Sequence, residues 1–152
     1  MRVRGSSFVL GVVCAVGLGA CASHVENAGS NDAMPPAIAA NGMMVDRIRQ
    51  MALYTYEGDG PNRSCCTGTC ATEWPPLYAQ ETDANRGDFS VFRRADGRKQ
   101  WALMGRPLYF WSNDANPGDA AGEANSAKWR VFRVSDYAPG GQFADETPAA
   151  EC

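Results

Sequence analysis

The sequence predicts a mainly β fold: one small domain built from two copies of a β-hairpin-containing repeat and stapled by disulfides. Three observations carry that expectation. Uncommon residues recur at a fixed offset of 55 positions, each copy opens on a turn dipeptide and continues into aromatic-rich runs, and cysteines cluster in a chain that begins with an export signal. At 152 residues there is room for one domain and hardly for two.

The first element is the signal, residues 1–20. Arg2 and Arg4 precede a short apolar run from Phe8 to Leu18, and small residues follow it. The run is too short for a bilayer that takes roughly 20 apolar residues, so no transmembrane anchor is expected. Leu18-Gly19-Ala20-Cys21 resembles the bacterial lipobox, which implies that Cys21 is acylated and becomes the mature N-terminus. Ala22 after that cysteine resembles the outer-membrane sorting signal of Gram-negative lipoproteins. The resulting expectation is a cell-envelope protein held to the outer membrane by lipid, since acyl burial is worth about 0.8 kcal/mol per CH₂. Losing Arg2 and Arg4 with the signal makes the remaining chain more acidic than the formal net charge of −3.

Residues 21–40 are read as the lipidated cysteine and a flexible tether. They are rich in Ala, Asn, Ser, Gly and Pro, lack apolar periodicity, and so bury too little to offset their ordering entropy. His24, the only histidine, lies there and is expected to be solvated.

The duplicated domain is expected over 41–137, with repeats at about 41–77 and 95–132. Gly42 falls on Gly97, Leu53-Tyr54 on Leu108-Tyr109, Tyr56 on Trp111, Asp59 on Asp114, and Trp74 on Trp129. With only four tryptophans in the chain, two meeting in one register is informative. Asn41-Gly42 and Asp96-Gly97 tolerate positive φ and predict hairpin turns. Ala52–Tyr56 and Pro107–Trp111 read as strands, 58–62 and 113–119 as loops. Asp88–Arg93 and Lys128–Val134 alternate apolar with polar, as half-buried strands do. A short helix over Asp46–Leu53 is a further expectation. Neither copy alone holds a sufficient core, which predicts that the two pair. Residues 138–152 are expected to be a flexible tail, tied down only where Cys152 bonds.

Tyr54-Thr-Tyr56-Glu-Gly-Asp59 and Tyr109-Phe-Trp111-Ser-Asn-Asp114 resemble the Tyr-x-(Phe/Trp/Tyr)-x-x-Asp motif of bacterial secreted-repeat lipoproteins of unknown function. Cys66-Thr-Gly-Thr-Cys70, Trp74-Pro75-Pro76-Leu77 and Gly105-Arg-Pro107-Leu108-Tyr109 follow that family's running order. The resemblance spans about 42–134 and implies location and architecture rather than an activity. Cys65 and Cys152 depart from the pattern.

With Cys14 removed and Cys21 lipidated, Cys65, Cys66, Cys70 and Cys152 remain, and four thiols allow three pairings. An oxidising compartment favours disulfides, and a vicinal Cys65–Cys66 bond is sterically awkward. The family resemblance implies Cys66–Cys70, with Cys65–Cys152 pinning the tail. The alternative use of Cys66 and Cys70 is an extracytoplasmic copper or thiol-redox site, with Met43, Met44, Met51 and Met104 as candidate further ligands.

The remaining constellations carry blander expectations. Asp59 and Asp114 are expected to cap their own turns, although either is a candidate cation ligand together with Asn116, Asp119 and Glu123. The aromatics Tyr54, Tyr56, Trp74, Trp101, Tyr109, Trp111 and Trp129 are expected in the core rather than on a sugar-stacking platform. Arg93, Arg94, Arg98 and Lys99 are expected at a solvated hairpin tip. An acidic chain lacks the field for nucleic acid. No nucleophile elbow, phosphate-binding glycine loop or His-Glu-x-x-His motif is present, so neither catalysis nor a cofactor is expected. The expected role is a non-catalytic binding or structural module, its partners the membrane through the lipid and an envelope protein or polymer.

Overall fold

Asn41 and Gly42 both adopt positive φ, 50° and 79°, and close a two-residue turn between β1 (Ala37–Ala40) and β2 (Met43–Asp46). The second repeat opens the same way, β4 (Phe89–Arg93) turning through Gly97 at φ 84° into β5 (Lys99–Leu103). This computed structural model describes residues 34–137, 139, 140 and 152, all within the compact unit Asn31–Cys152. The signal, Cys14, Cys21, His24, most of the tether and most of the tail lie outside the described residues.

The mainly β, duplicated architecture is the one the sequence predicts, with three local differences. The tether expected through residue 40 ends earlier, because Ala37 is buried and Ala37–Ala40 pairs antiparallel with β2. A strand of three alanines and one isoleucine offers no polar contrast for a period of two to show. No helix forms over Asp46–Leu53. Asp46 turns its carboxylate back to accept the N–H groups of Ile48, Arg49 and Met51, and the single i,i+4 bond from the Gln50 N–H to the Asp46 carbonyl is not continued, because Gln50 takes φ 58°. A one-turn helix appears elsewhere, α1 (Thr69–Glu73), after Gly68 at φ 58°.

The two hairpins differ in length yet keep the overall offset. The first has a two-residue turn and a longer loop at 47–50. The second has a wider tip over 94–98 and a tight turn at Met104-Gly105 before β6 (Arg106–Pro107). The wider tip lengthens the second hairpin and the tight turn at Met104-Gly105 shortens it again, so the offset shifts along the hairpin and is 55 at Leu53 and Leu108.

Each repeat gives its last strand to the other. In the first sheet the Leu53 N–H donates to the Met44 carbonyl, while Met44 and Phe132 and then Phe132 and Leu53 are joined by backbone bonds of 2.8 Å. In the second, Leu108 donates to Trp101, Trp101 to Leu77, and Leu77 to Leu108. Phe132 belongs to repeat two and Leu77 to repeat one. β3 (Tyr54–Tyr56) pairs antiparallel with β7 (Trp129–Val131), and Pro76 bridges Tyr109 at the corresponding place. At the seam Tyr54 and Tyr109 exchange both backbone bonds, at 2.8 and 3.0 Å.

Strand alternation then sorts the core into two clusters. Leu53, Leu108, Met44, Trp101 and Phe132 fall on one face, and Ala52, Tyr54, Tyr109, Trp74 and Trp129 on the other. Both clusters draw on both repeats, so neither exists in half a chain. Deleting residues 95–132 should therefore leave a remainder with no cooperative transition in a thermal melt followed by circular dichroism; a sigmoidal transition in that fragment would contradict the exchange.

Candidate functional site

The tyrosine and aspartate of the motif do not meet within one copy. Tyr54 Oη donates to Asp114 Oδ2 at 2.6 Å, and Tyr109 Oη donates to Asp59 Oδ2 at 2.6 Å. These bonds span 60 and 50 residues and cross the seam in opposite directions. The second oxygen of each carboxylate closes its own loop: Asp59 Oδ1 accepts the Cys65 N–H at 2.7 Å, and Asp114 Oδ1 accepts the Ala121 N–H at 3.1 Å. Capping is thus half of what each aspartate does, and the expectation that each serves only its own turn is corrected. A buried phenol needs a partner for its O–H, and a half-buried carboxylate needs donors; each motif half supplies what the other lacks.

The aromatic rings interleave in the same reciprocal manner. Tyr56 stacks on Trp129 with centroids 4.7 Å apart, Trp129 on Trp74 at 4.0 Å and 4°, and Trp74 on Trp111 at 6.0 Å. The four rings form a ladder alternating between repeats, and each step adds about 0.5–1.5 kcal/mol beyond burial. Tyr54, Trp74, Trp101, Tyr109, Trp111 and Trp129 are buried, which leaves no open platform of these rings for a sugar. The Trp111 indole N–H has no hydrogen-bond partner among the described residues.

Around this seam the halves differ. In repeat one the Cys66–Cys70 disulfide spans the start of α1, and the Cys65–Cys152 disulfide fixes the chain end across 87 residues, worth about 4.6 kcal/mol in the loop-entropy account. In repeat two a short 3₁₀ turn, Ala121–Ala124, takes the place of α1. Gly122 there donates its N–H to Tyr54 Oη, and a Cβ on it would lie 2.8 Å from the Trp74 ring. No signal in the sequence marked Gly122.

A buried polar cluster is the other feature that sequence reasoning missed. Arg94, expected at the hairpin tip, is 5% exposed; its guanidinium donates to Ser64 Oγ, to the Cys66 carbonyl and to Gln100. Gln100 Nε2 donates to the Leu108 carbonyl, and Tyr109 Oη lies 2.7 Å from Ser64 Oγ. Arg94 turns inward because these buried oxygens need donors. Its neighbours do remain at the surface, Arg93 on the Gly97 carbonyl and Glu81, Arg98 over the Tyr78 ring, and Lys99 on the Glu81 carbonyl.

Burial raises the Asp59 carboxyl from 3.8 to about 6, against the lowering pull of the Tyr109 hydroxyl, the Cys65 N–H and the Arg94 charge. Burial, with the neighbouring carboxylate, likewise holds the Tyr54 and Tyr109 phenols above their ordinary range. The candidate cation ligands do not converge. Asp119 caps Ala115 and Asn116, Glu123 holds Arg133, and among the described residues no group of three His, Cys, Asp or Glu side chains is placed to share a metal ion. Of the candidate sulfur ligands, Met44 packs in the first core cluster and Met104 against it, whereas Met43, Cys66 and Cys70 pack in or against the second.

The architecture defines a class: a duplicated, strand-exchanged β domain closed by disulfides, whose most perturbed acid and phenols lie at the seam. Over residues 37–78 and 90–133 the chain matches the family described as a secreted repeat of unknown function. That is more than half its length, and the chain belongs to this family. The matched segments begin ahead of the internal self-similarity because β1 and β4 share shape rather than residues. No curated protein and no solved structure matches the chain. The family is one of secreted repeats, which makes this an extracellular or envelope protein. Among the described residues no helix is long and apolar enough to cross a membrane.

The raised Asp59 carboxyl has a signed consequence. A carboxyl that binds its proton more tightly when folded adds stability that is full below about pH 4 and is lost as pH rises through about 6. The stability difference between the native protein and Asp59→Asn, measured by urea unfolding, should therefore move by about 2–3 kcal/mol against the native protein between pH 4 and 7. A flat difference would contradict the assignment.

Proposed function

We propose that the protein is an exported, lipid-anchored cell-envelope lipoprotein that works as a non-catalytic binding or structural module. The observation that carries this reading is the use made of the reactive side chains. Asp59, Tyr54 and Tyr109, the groups an active site would draw upon, are engaged with one another across the seam, and their hydrogen-bonding capacity is consumed in joining the repeats.

The anchor rests on the Leu18-Gly19-Ala20-Cys21 sequence, and Ala22 supports the outer membrane as destination. An anchored domain needs no membrane-binding face of its own, so its surface is free for a partner in the envelope. The acidic charge argues against nucleic acid as that partner.

Cells grown with radioactive palmitate should yield a labelled protein that fractionates with membranes, whereas Cys21→Ala should lose the label and enter the soluble fraction. Label retained by Cys21→Ala would overturn the anchor. Turnover of an envelope polymer by the purified protein, lost in Asp59→Asn, would overturn the non-catalytic half of the reading.

A further inference from the structure

Two open grooves on the described surface, of about 570 and 420 Å³, occupy equivalent places in the two repeats. The first is lined by residues 75–78 with Met51 and Phe110, the second by residues 130–133 with Arg106 and Thr55. Each of these positions stands 55 residues from its counterpart. The duplication therefore made one groove twice.

The linings differ in one consistent direction. Where the first groove has Met51, Pro75 and Tyr78, the second has Arg106, Arg130 and Arg133. Two carboxylates stand against these three guanidinium groups. Glu123 accepts from Arg133 Nη2 at 2.5 Å and from the Val131 N–H at 3.3 Å; Asp136 accepts the Arg133 N–H at 3.3 Å and attracts Arg106. Arg130 donates to the Trp129 carbonyl at 3.2 Å. The groove keeps an excess of positive charge on a chain whose net charge is −3. A positive cleft in an acidic surface concentrates anions locally. Guanidinium forks match the oxygens of phosphate and carboxylate, and three of them in one groove match the three oxygens and near-double charge of a phosphate monoester. Both groove volumes fall in the range of small-ligand sites.

We propose that the groove formed by Thr55, Arg106, Arg130 and Arg133 is an anion site that takes a phosphate group, either free or carried on a lipid headgroup. The inference deepens the binding-module reading and rests on it. The first groove, lined by Asp46, Asp114 and the Arg49 guanidinium that lies over Phe110 at 4.3 Å, lacks the three-arginine cluster and is an internal control.

The test titrates the full chain, in detergent micelles, with inorganic phosphate, with a soluble short-chain phosphatidic acid, and with acetate, by calorimetry. Arg106→Met and Arg133→Tyr transplant the first groove's residues into the second. Each should weaken phosphate binding by about tenfold, the loss expected for one charge-assisted contact, while Arg98→Gln, outside the groove, leaves it unchanged. Binding of inorganic phosphate identifies the free anion as sufficient; binding of phosphatidic acid alone identifies the headgroup. The proposal falls if neither binds saturably, if acetate binds as well as phosphate, or if Arg98→Gln loses as much as Arg106→Met. Each variant is first shown to melt cooperatively, and should Arg133→Tyr not fold without its bond to Glu123, Arg106→Met decides. A failed titration removes the ligand and leaves the anchor standing, because palmitate labelling decides that separately.

Discussion

The exchange of hydrogen bonds between Tyr54 and Asp114 and between Tyr109 and Asp59 is the constraint from which the rest of the molecule follows. Each bond joins a buried phenol to a carboxylate of the opposite copy, so satisfying either pair requires both copies to be present and in register. A charge-assisted bond of this kind contributes about 1.5–3 kcal/mol, and leaving one partner buried without the other costs at least as much. The backbone pair between Tyr54 and Tyr109, the ring ladder through Trp74 and Trp129, and the lending of Leu77 and Phe132 to opposite sheets are arranged around the same seam. The pattern is that of an isologous dimer interface, in which each contact recurs with its roles reversed, here drawn into one chain.

A seam of this kind is tolerant everywhere except at itself. The hairpin loops can trade length, as they have done between 47–50 and 94–98, because neither loop enters the seam. The segment after each aspartate has diverged further. On one side it holds a disulfide-spanned helical turn and the Arg94, Gln100 and Ser64 cluster; on the other it holds a 3₁₀ turn in which Gly122 lets Trp74 and Tyr54 approach the backbone. Both solutions answer the same requirement, to bring an N–H to the free oxygen of the aspartate and to support the tyrosine hydroxyl from behind. The first does so with Cys65 N–H and Ser64, the second with the N–H groups of Ala121 and Gly122.

Much of this was legible in the sequence, and the illegible part has a physical cause. The repeat was visible because the seam fixes large, rare side chains at fixed spacing: Trp74 and Trp129 stack on each other, so neither is free to change alone. The turn dipeptides were visible because positive φ restricts residue choice. β1 was not, since alanines form a strand there only by pairing with β2 and burying Ala37. The exchange of Leu77 and Phe132 was also hidden, because a sequence period reports that two units match and says nothing about which unit each strand joins. Arg94 was misread for a related reason: three basic residues around it are at the surface, and what turns the fourth inward is a set of oxygens from residues 64 and 66, remote in sequence, and from Gln100 across the hairpin.

The separation of seam from surface also bears on where function resides. In a duplicated fold the paired positions begin identical, and those that hold the copies together are kept alike by each other. Positions that touch nothing across the seam carry no such restraint. The backbones at the two grooves do pair across the seam, Thr55 with Arg130 and Phe110 with Pro75, but Arg106, Arg130 and Arg133 are exposed, and at these positions the copies have parted, with Met51, Pro75 and Tyr78 facing the three arginines across the internal symmetry. Three arginines gathered in one groove of an acidic chain repel one another and are each expensive to order, a cost of about 2 kcal/mol of side-chain entropy apiece when fully fixed. Stability gives only part of a reason to accept that arrangement, through the Arg133–Glu123 ion pair and the pull of Asp136 on Arg106, and the equivalent groove does without it. An anionic ligand does give one, because its oxygens turn the mutual repulsion of the three guanidinium groups into shared attraction.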